Sequence, residues 1–355
     1  MLWTCLGPAT DPRHAQIDQL QSRVLFASAI FLTNIRHIQA ATEKVNFLGQ
    51  YLLQRVGYSL VALFGVVSIV FGILHLSGDP VLLLVPEGAT QQDIDNLRHA
   101  LGFDRPLYVQ YFEYLRNLSR VDLGVSIIQQ IPVLEIVLSR VSFTLYLALG
   151  GFFVAAGIGF PVGVILGVFR GSLGAKIAVP LVLVGQSMPT FWSGIMLIII
   201  FSVNLGWLPS SGAREFSSII LPSITLGALS MATFARITRA CILEEISKDY
   251  VTAANAKGIS FTRVVFHHII PNASLPIITV VALEVANLLT GAVIVETVFA
   301  WPGVGLLAIE AIEARDFLLV QAIVLFGSLI YIILNLVADF LYAYVDPRVK
   351  LVATS

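Results

Sequence analysis

Long apolar runs alternate with short polar connections along this chain, and six of the runs reach the roughly 20 residues that a helix needs to cross the hydrocarbon core of a bilayer. They lie at about Val56 to Leu76, Val141 to Phe169, Lys176 to Leu205, Ile219 to Ile242, Leu275 to Phe299 and Phe317 to Tyr342. The third holds Met188-Pro189 near its middle. Proline removes a helical hydrogen bond and crowds the preceding turn, so a kink or break is expected there, within what still counts as one bent span. Between the first two runs, residues 77–140 carry alternating charge and helical patterning around Gln91 to Leu101 and Leu107 to Leu118, which predicts a small folded cap outside the bilayer. A further apolar run, Val24 to Ile35, is too short to span. Residues 1–46 therefore read as an N-terminal extension from a start assigned too far upstream, with translation beginning near Val45 or Asn46. An intact peptide containing Leu2 to Arg13 in mass spectra would contradict that expectation. Residues 47–350 are expected to form the membrane domain and 351–355 a tail.

Composition agrees with the pattern. Hydrophobic residues make up 57% of the chain and charged residues 12%, against roughly 25% charged in soluble domains. The mean hydropathy is +0.87, an excess that lipid rather than a soluble core must absorb. A net charge of −1 argues against a nucleic-acid partner, which would require basic patches. Cys5 and Cys241 match no metal or redox spacing, so no metal site is implied.

Lysine and arginine in short loops set orientation. With the N-terminus in the cytoplasm, that side holds Arg13, Arg23, Arg36, Lys44, Arg55, Arg170, Lys176, Arg236, Arg239, Lys248, Lys257, Arg263, Arg348 and Lys350, whereas the two short outer loops hold only Arg214 and Arg315. Both termini and the connection between the fourth and fifth spans are therefore expected in the cytoplasm.

Candidate chemistry is sparse. None of the five lysines sits in a phosphate-cradling G-x-x-x-x-G-K-[ST] loop, and neither H-E-x-x-H nor G-x-S-x-G occurs, so enzymatic activity is not expected. His267 and His268 are adjacent, so on a helix they diverge by about 100° and belong to a basic helix face rather than to one ion. Gly159, Gly163, Gly167 and Gly171 recur every fourth residue in the second span, the spacing of a close helix-packing seam. Ionisable residues at membrane depth are functional candidates. Of these, His75, Glu296 and Asp339 sit near span ends, where snorkelling or headgroup contact would satisfy them, while Glu284 lies well inside and either faces a water-filled path or bonds a neighbouring helix. The broken third span and one face of the fifth, marked by Met188, Pro189, Trp192 and Asn287, are candidates for the wall of a translocation path, because interrupted helices at membrane depth face cavities.

The polar stretch around "TAANAKGISFTRVVFHHIIPN" is the strongest feature. Acidic Glu244, Glu245 and Asp249 precede a short Ala-rich helix over Tyr250 to Lys257; Gly258 suits the left-handed conformation that ends helices; Ser260 or Thr262 can cap a second helix, Phe261 to Ile270, that stops before Pro271. Two short helices meeting at a glycine make an elbow. An exposed face mixing small residues with Tyr250, Ile259 and Phe261 would suit docking of another protein.

The segment "DYVTAANAKGISFTRVVFHHIIPNASLP" resembles the coupling loop of ABC importer permeases: Thr252-Ala253-Ala254, Gly258 and Leu275-Pro276 match its spacing. "YLLQRV", "SGDP", "LGFDRPLYVQY", "DLGVS" and "VETVFAWPGVG" are similar to the peptide and nickel subgroup, in particular its dipeptide or oligopeptide B-type subunit, over about residues 47–350. Departures are Thr252 in place of an acidic residue, Asn255 in place of a basic one, and Arg120-Val121 where a glycine is usual. The resemblance implies an all-α, six-helix type I importer permease with an external cap at 77–140 and a coupling loop at 244–272, in the inner membrane of a bacterium. It implies a role as one half of a permease heterodimer importing peptides or a related small solute. Partners would be two ATPase subunits, which carry ATP and magnesium, and an extracytoplasmic binding protein; no cofactor would sit on this chain. The docking residues would be Asp249, Tyr250, Thr252, Ala253, Ala254, Lys257, Gly258, Ile259, Phe261 and Pro271. An ion-coupled secondary transporter is the competing class, and it would require inverted repeats and midplane ion sites.

Overall fold

A computed structural model describes residues 54–73, 75 and 90–345, and among them it is helical with a single isolated β-bridge, Val125 to Pro132. All but 54–58 of the described residues fall in one compact unit, 59–355. The extension 1–46, Leu76 to Pro80 and the tail 351–355 lie outside the described residues.

Among the described residues, five helices are long and apolar enough to cross a membrane: α1 (Gln54–Ile73), α4 (Val133–Val168), the stretch Phe216–Ile246 whose α-helical part is α7 (Ile220–Ile246), α10 (Ile270–Val298, apolar over Pro276–Val298) and α12 (Phe317–Val345). The remaining run, read above as one bent span, is two helices. Helix α5 (Leu173–Ser187) ends, the chain leaves helical geometry at Met188-Pro189, and α6 (Thr190–Leu197) restarts and continues as a π-helix over Ile198–Asn204. Proline explains the complete break: it disfavours helical backbone at the residue before it, and Pro189 here occupies the capping position of α6 with φ −59° and ψ 135°.

Helix α4 begins at Val133, eight residues before the run read as the second span, so the cap is shorter than 77–140. Pro132 opens α4, and Val133, Ile136 and Val137 pack with Leu307 and Ala311 of α11 (Val304–Glu313) and Leu319, Ala322 and Ile323 of α12. Within the cap, α2 (Gln91–Leu101) carries a capping box between Thr90 and Asp93 and ends at Gly102 with φ +74°. Helix α3 (Leu107–Ser119) follows Pro106. Both match the expected patterning.

The glycine stripe is a packing seam for three of its four members. A Cβ on Gly159 would lie 2.7 Å from the Met231 carbonyl oxygen, one on Gly163 would lie 2.5 Å from Thr238 Cβ, and one on Gly167 would lie 2.7 Å from Ile242 Cγ2, all on α7. Gly171 has open space around it, contrary to the expectation, because α4 ends at Val168 and Gly171 falls in the following turn. The seam instead extends the other way, through Ala155 to Gly151 and across to Gly227, where a Cβ would meet the Gly151 carbonyl at 2.5 Å. Leu147 of α4, Leu221 and Leu226 of α7, and Leu288, Ala292 and Val295 of α10 complete a core with Phe299 and Trp301.

Candidate coupling elbow and translocation face

The elbow forms where it was expected, with altered joints. Helix α8 (Asp249–Ala256) leads to Gly258 at φ +80°, and α9 (Phe261–Val264) follows Ser260, whose side chain makes no capping bond. Nothing lies within 4 Å of a Cβ built on Gly258, so backbone conformation alone favours glycine there. The second helix does not stop before Pro271. It passes through a π-helical turn, Val265–Ile269, directly into α10, where Pro271 falls in the opening turn. The missing proline N–H costs little there, and the wider π turn accommodates the change of pitch.

One face of the elbow is locked to the bundle. Val251 and Ala254 of α8, Val264 of α9, Val265 and Ile269 of the π turn, and Ala273 of α10 share a buried cluster with Ile242 of α7. Tyr250 and Ile259, expected on the docking face, turn partly inward and pack against this cluster. Their apolar bulk is more stable there than in water. The Tyr250 hydroxyl donates to Glu245 Oε2 at 2.7 Å, and Lys248 pairs with the other carboxylate oxygen of the same residue. Burial raises the Tyr250 hydroxyl above its ordinary value, and the Glu245 carboxylate raises Lys248. Glu245 is thus a buried anchor, a role its place in an acidic patch did not reveal. Thr252, Ala253, Asn255, Ala256, Lys257, Gly258 and Phe261 stay exposed, as do Asp249 and Pro271, while Ala254 is buried.

Met188, Trp192, Pro189 and Asn287 are exposed, the first two at 44% and 43%. Gly194 packs α6 against Thr225, Val298 and Phe299. For Glu284, the structure favours the helix-bonding alternative: Ser230 of α7 donates to its Oε2 at 2.9 Å. None of these residues lines the cavity of about 520 Å³ that opens among α1, α4, α10, α11 and α12, where Ala62, Val66, Val141, Leu289 and Ile323 contribute.

Two carboxylates that the sequence did not single out as anchors are the most constrained. Glu296, expected to snorkel at a span end, is fully buried. It accepts from the Thr144 hydroxyl at 2.7 Å and from the Gly305 and Leu306 N–H groups at 2.7 and 3.1 Å, so it holds the first turn of α11 against α4 and α10. The Val304 N–H donates to Thr144 Oγ1 at 2.8 Å, and Trp301 Nε1 donates to the Phe143 carbonyl at 2.9 Å. A Cβ on Gly303 would overlap the Glu296 carboxylate, which explains the glycine after Pro302 in "FAWPGVG". Asp316, also buried, accepts from the Ser126 hydroxyl of the cap and from the Leu319 N–H at 3.2 Å, capping α12. His75, the other expected span-end residue, reaches Gln110 of the cap at 3.1 Å, and the side chain of Asp339 lies outside the described set.

Comparison with known proteins gives this arrangement its context. Residues 159–351 match the family described as binding-protein-dependent transport system inner membrane component, and residues 48–148 match the family described as the N-terminal part of the membrane component of such systems. The chain is 40% identical over 301 residues to the glutathione transport system permease protein GsiC of Escherichia coli strain K12, covering 84% of this chain and 98% of that one. It is 39% identical over the same length to the GsiC of Shigella boydii serotype 4. Among solved structures, inward-facing conformations of the MetNI methionine ABC transporter align with a TM-score of 0.52 at 20% identity, over 61% of this chain and 98% of that one, a likeness of fold. Apolar membrane-crossing helices, a helical fold shared with a solved importer and family matches over most of its length agree that this chain belongs to the binding-protein-dependent transport system inner-membrane component family and is a permease subunit of an ABC importer.

Proposed function

We propose that this chain is one half of a heterodimeric permease that imports glutathione or other short peptides, driven by two ATPase subunits docked on the exposed face of α8 and α9. The observation that carries the coupling assignment is the two-sided elbow. Its inner face is fixed to α7 and α10 through one apolar cluster, while Thr252, Ala253, Lys257 and Phe261 remain open to a partner. A push on the elbow therefore moves two spans together. The peptide assignment rests on the 40% identity to permeases named for glutathione transport. ATP and magnesium would sit on the ATPases. The elbow would face the cytoplasm with both chain ends, as the loop charges imply, and the cap would meet the binding protein outside. Substrate would pass along the broken α5–α6 segment, beside Met188, Pro189, Trp192 and Asn287, with Glu284 bonded to Ser230 behind that wall.

Gly258→Val tests the coupling. A β-branched residue at φ +80° is strained by at least about 1 kcal/mol, relieved by re-angling α9. The membrane helices do not depend on that turn. Membrane abundance should stay normal, capture of the ATPase subunits should fall, and ATP-driven uptake of glutathione into reconstituted vesicles should be lost; Gly258→Ala should be milder. Wild-type uptake by the valine variant would show that the elbow is only a connector. Protease added outside spheroplasts should cut within the cap, and cutting only from the cytoplasmic side would overturn the orientation.

A further inference from the structure

We propose that α3 of the cap is a membrane-surface helix, seated with Tyr108 and Phe112 in the headgroup layer of the bilayer beside α1. Its depth follows from what it touches. Tyr111 bonds Ser68 of α1 at 2.6 Å, Phe71 packs against Tyr111 and Tyr114 with ring centroids 5.2 and 5.8 Å apart, and His75 reaches Gln110. Ser68 and Phe71 lie inside the apolar span Gln54–Ile73, in its last two turns. Two turns of α1 meet about one turn of α3, so α3 crosses the spanning helix rather than running beside it. A helix crossing a span at the end of its apolar stretch lies near the plane of the membrane surface.

The three flanks of α3 differ in the way such a helix requires. Tyr111 and Tyr114 face α1. Opposite the flank that carries Tyr108, Gln110, Glu113 and Asn117 form a polar stripe, with Glu113 paired to Arg105. The third flank is apolar and bare: Tyr108 is 68% and Phe112 65% exposed, one helical turn apart, with exposed Arg116 alongside where it can reach phosphate groups. The span that α3 crosses is bare as well: Phe64, one turn below Ser68, and Ile69 of α1 are exposed at 56% and 62%. Because α3 is seated at Ser68 and Phe71, where the apolar stretch of α1 ends, its bare flank lies at the depth of the membrane–water boundary, where aromatic types such as Tyr108 and Phe112 are enriched. The proposal stands independently of the substrate and of the ATPase interface.

The test is collision accessibility of spin labels on the assembled importer in lipid nanodiscs, with Cys5 and Cys241 replaced and single changes Tyr108→Cys, Phe112→Cys, Glu113→Cys and Asn117→Cys labelled in turn. The ratio of oxygen collisions to collisions with a water-soluble nickel chelate should be several-fold higher at 108 and 112 than at 113 and 117. Equal ratios at the four sites would overturn the proposal by placing the flank in water. Protection of 108 and 112 from both reagents would overturn it by showing a protein partner on that flank. Should a label abolish ATP-driven uptake, Phe112→Trp supplies the second measurement. Lipids brominated near the headgroup should quench its added fluorescence relative to the unsubstituted importer, and no added quenching would equally overturn the assignment.

Discussion

Removing the Glu296 carboxylate should destabilise the permease strongly, at the junction of α4, α10 and α11. Glu296→Ala strands three donors that now point at one side chain: the Thr144 hydroxyl and the Gly305 and Leu306 N–H groups. A buried donor left without a partner costs about 1–3 kcal/mol. The three are not independent, since all converge on one carboxylate, so the total is expected to fall well short of three separate maximal penalties, at about 3–5 kcal/mol. Water can reduce this cost, because Glu296, Thr144 and Gly305 line the adjoining cavity and a vacated carboxylate position could be hydrated from it. The lower end of the range is therefore expected. Glu296→Gln should be far milder: one oxygen still accepts from the two backbone N–H groups, and the amide can donate to Thr144 Oγ1, which loses only its own donation. The assay is reversible or scan-rate-matched unfolding of the purified permease in nanodiscs for wild type, Glu296→Ala, Glu296→Gln, Thr144→Val and the Glu296→Ala, Thr144→Val double variant. The double variant should fall short of the sum of its singles by about 0.5–3 kcal/mol, because the two residues share one contact. Equal stability of the alanine and glutamine variants, or strict additivity of the pair, would refute the reading of Glu296 as the acceptor that holds α11 in place.

Three further outcomes follow from the geometry. Gly163→Leu should lower membrane abundance sharply, since even its Cβ would sit 2.5 Å from Thr238 Cβ and overpacking costs roughly 1–3 kcal/mol or more, whereas Gly171→Leu, with open space around it, should be neutral; the two are compared by immunoblot of membranes. Val121→Gly should stabilise the cap by about 1 kcal/mol, because Val121 holds φ +60°, and its gain should appear as slower proteolysis of the cap in spheroplasts. Cysteines placed singly at Met188, Pro189, Trp192 and Asn287 should react with small water-soluble thiol reagents in at least one nucleotide state, and inertness of all four in every state would put the path elsewhere.

How much of this was legible in the sequence depended on whether the signal was local. The elbow was readable because helix ends are set by neighbours in the chain: the Ala-rich run, Gly258 and the N-cap position of Ser260 lie within a dozen residues. The glycine seam was readable up to its end, since four-residue spacing is a property of one helix, but where α4 stops was not, and Gly171 was counted in error. What sequence could not supply were pairings across distance. Thr144 and Glu296 are separated by 152 residues and Ser126 and Asp316 by 190, and nothing near any of them marks its partner. The quoted motifs did contain a signal. Ser126 ends "DLGVS" and Glu296 opens the acidic-aromatic stretch before "WPGVG", so the motifs that carry the resemblance also hold residues of the structural scaffold. Val121 is the reverse case: its departure from a usual glycine was visible in sequence, and the structure supplies the reason the glycine is favoured, a left-handed backbone.

The distribution of tight and loose joints bears on how the proposed coupling would travel. Helix α10 enters the elbow cluster at one end, through Ala273 beside Ile269 of the π turn, and carries the Glu296 acceptor near the other. Helix α7 enters the same cluster at Ile242 and is welded to α4 along Gly151, Gly159, Gly163 and Gly167, where backbones approach too closely for side chains to slide. Thr144 of α4 then meets Glu296 of α10, closing a loop of contacts around α4, α7 and α10. A frame closed in this way resists shear, because any relative sliding must break either the seam or the carboxylate junction. The compliant element is outside it: the chain break at Met188-Pro189. In the proposed mechanism the ATPases would therefore rotate the α4–α7–α10 frame as a body, and the change of access would come from α5 and α6 hinging at Met188-Pro189 against it, which puts the moving wall of the path at the residues where helical hydrogen bonding is already interrupted.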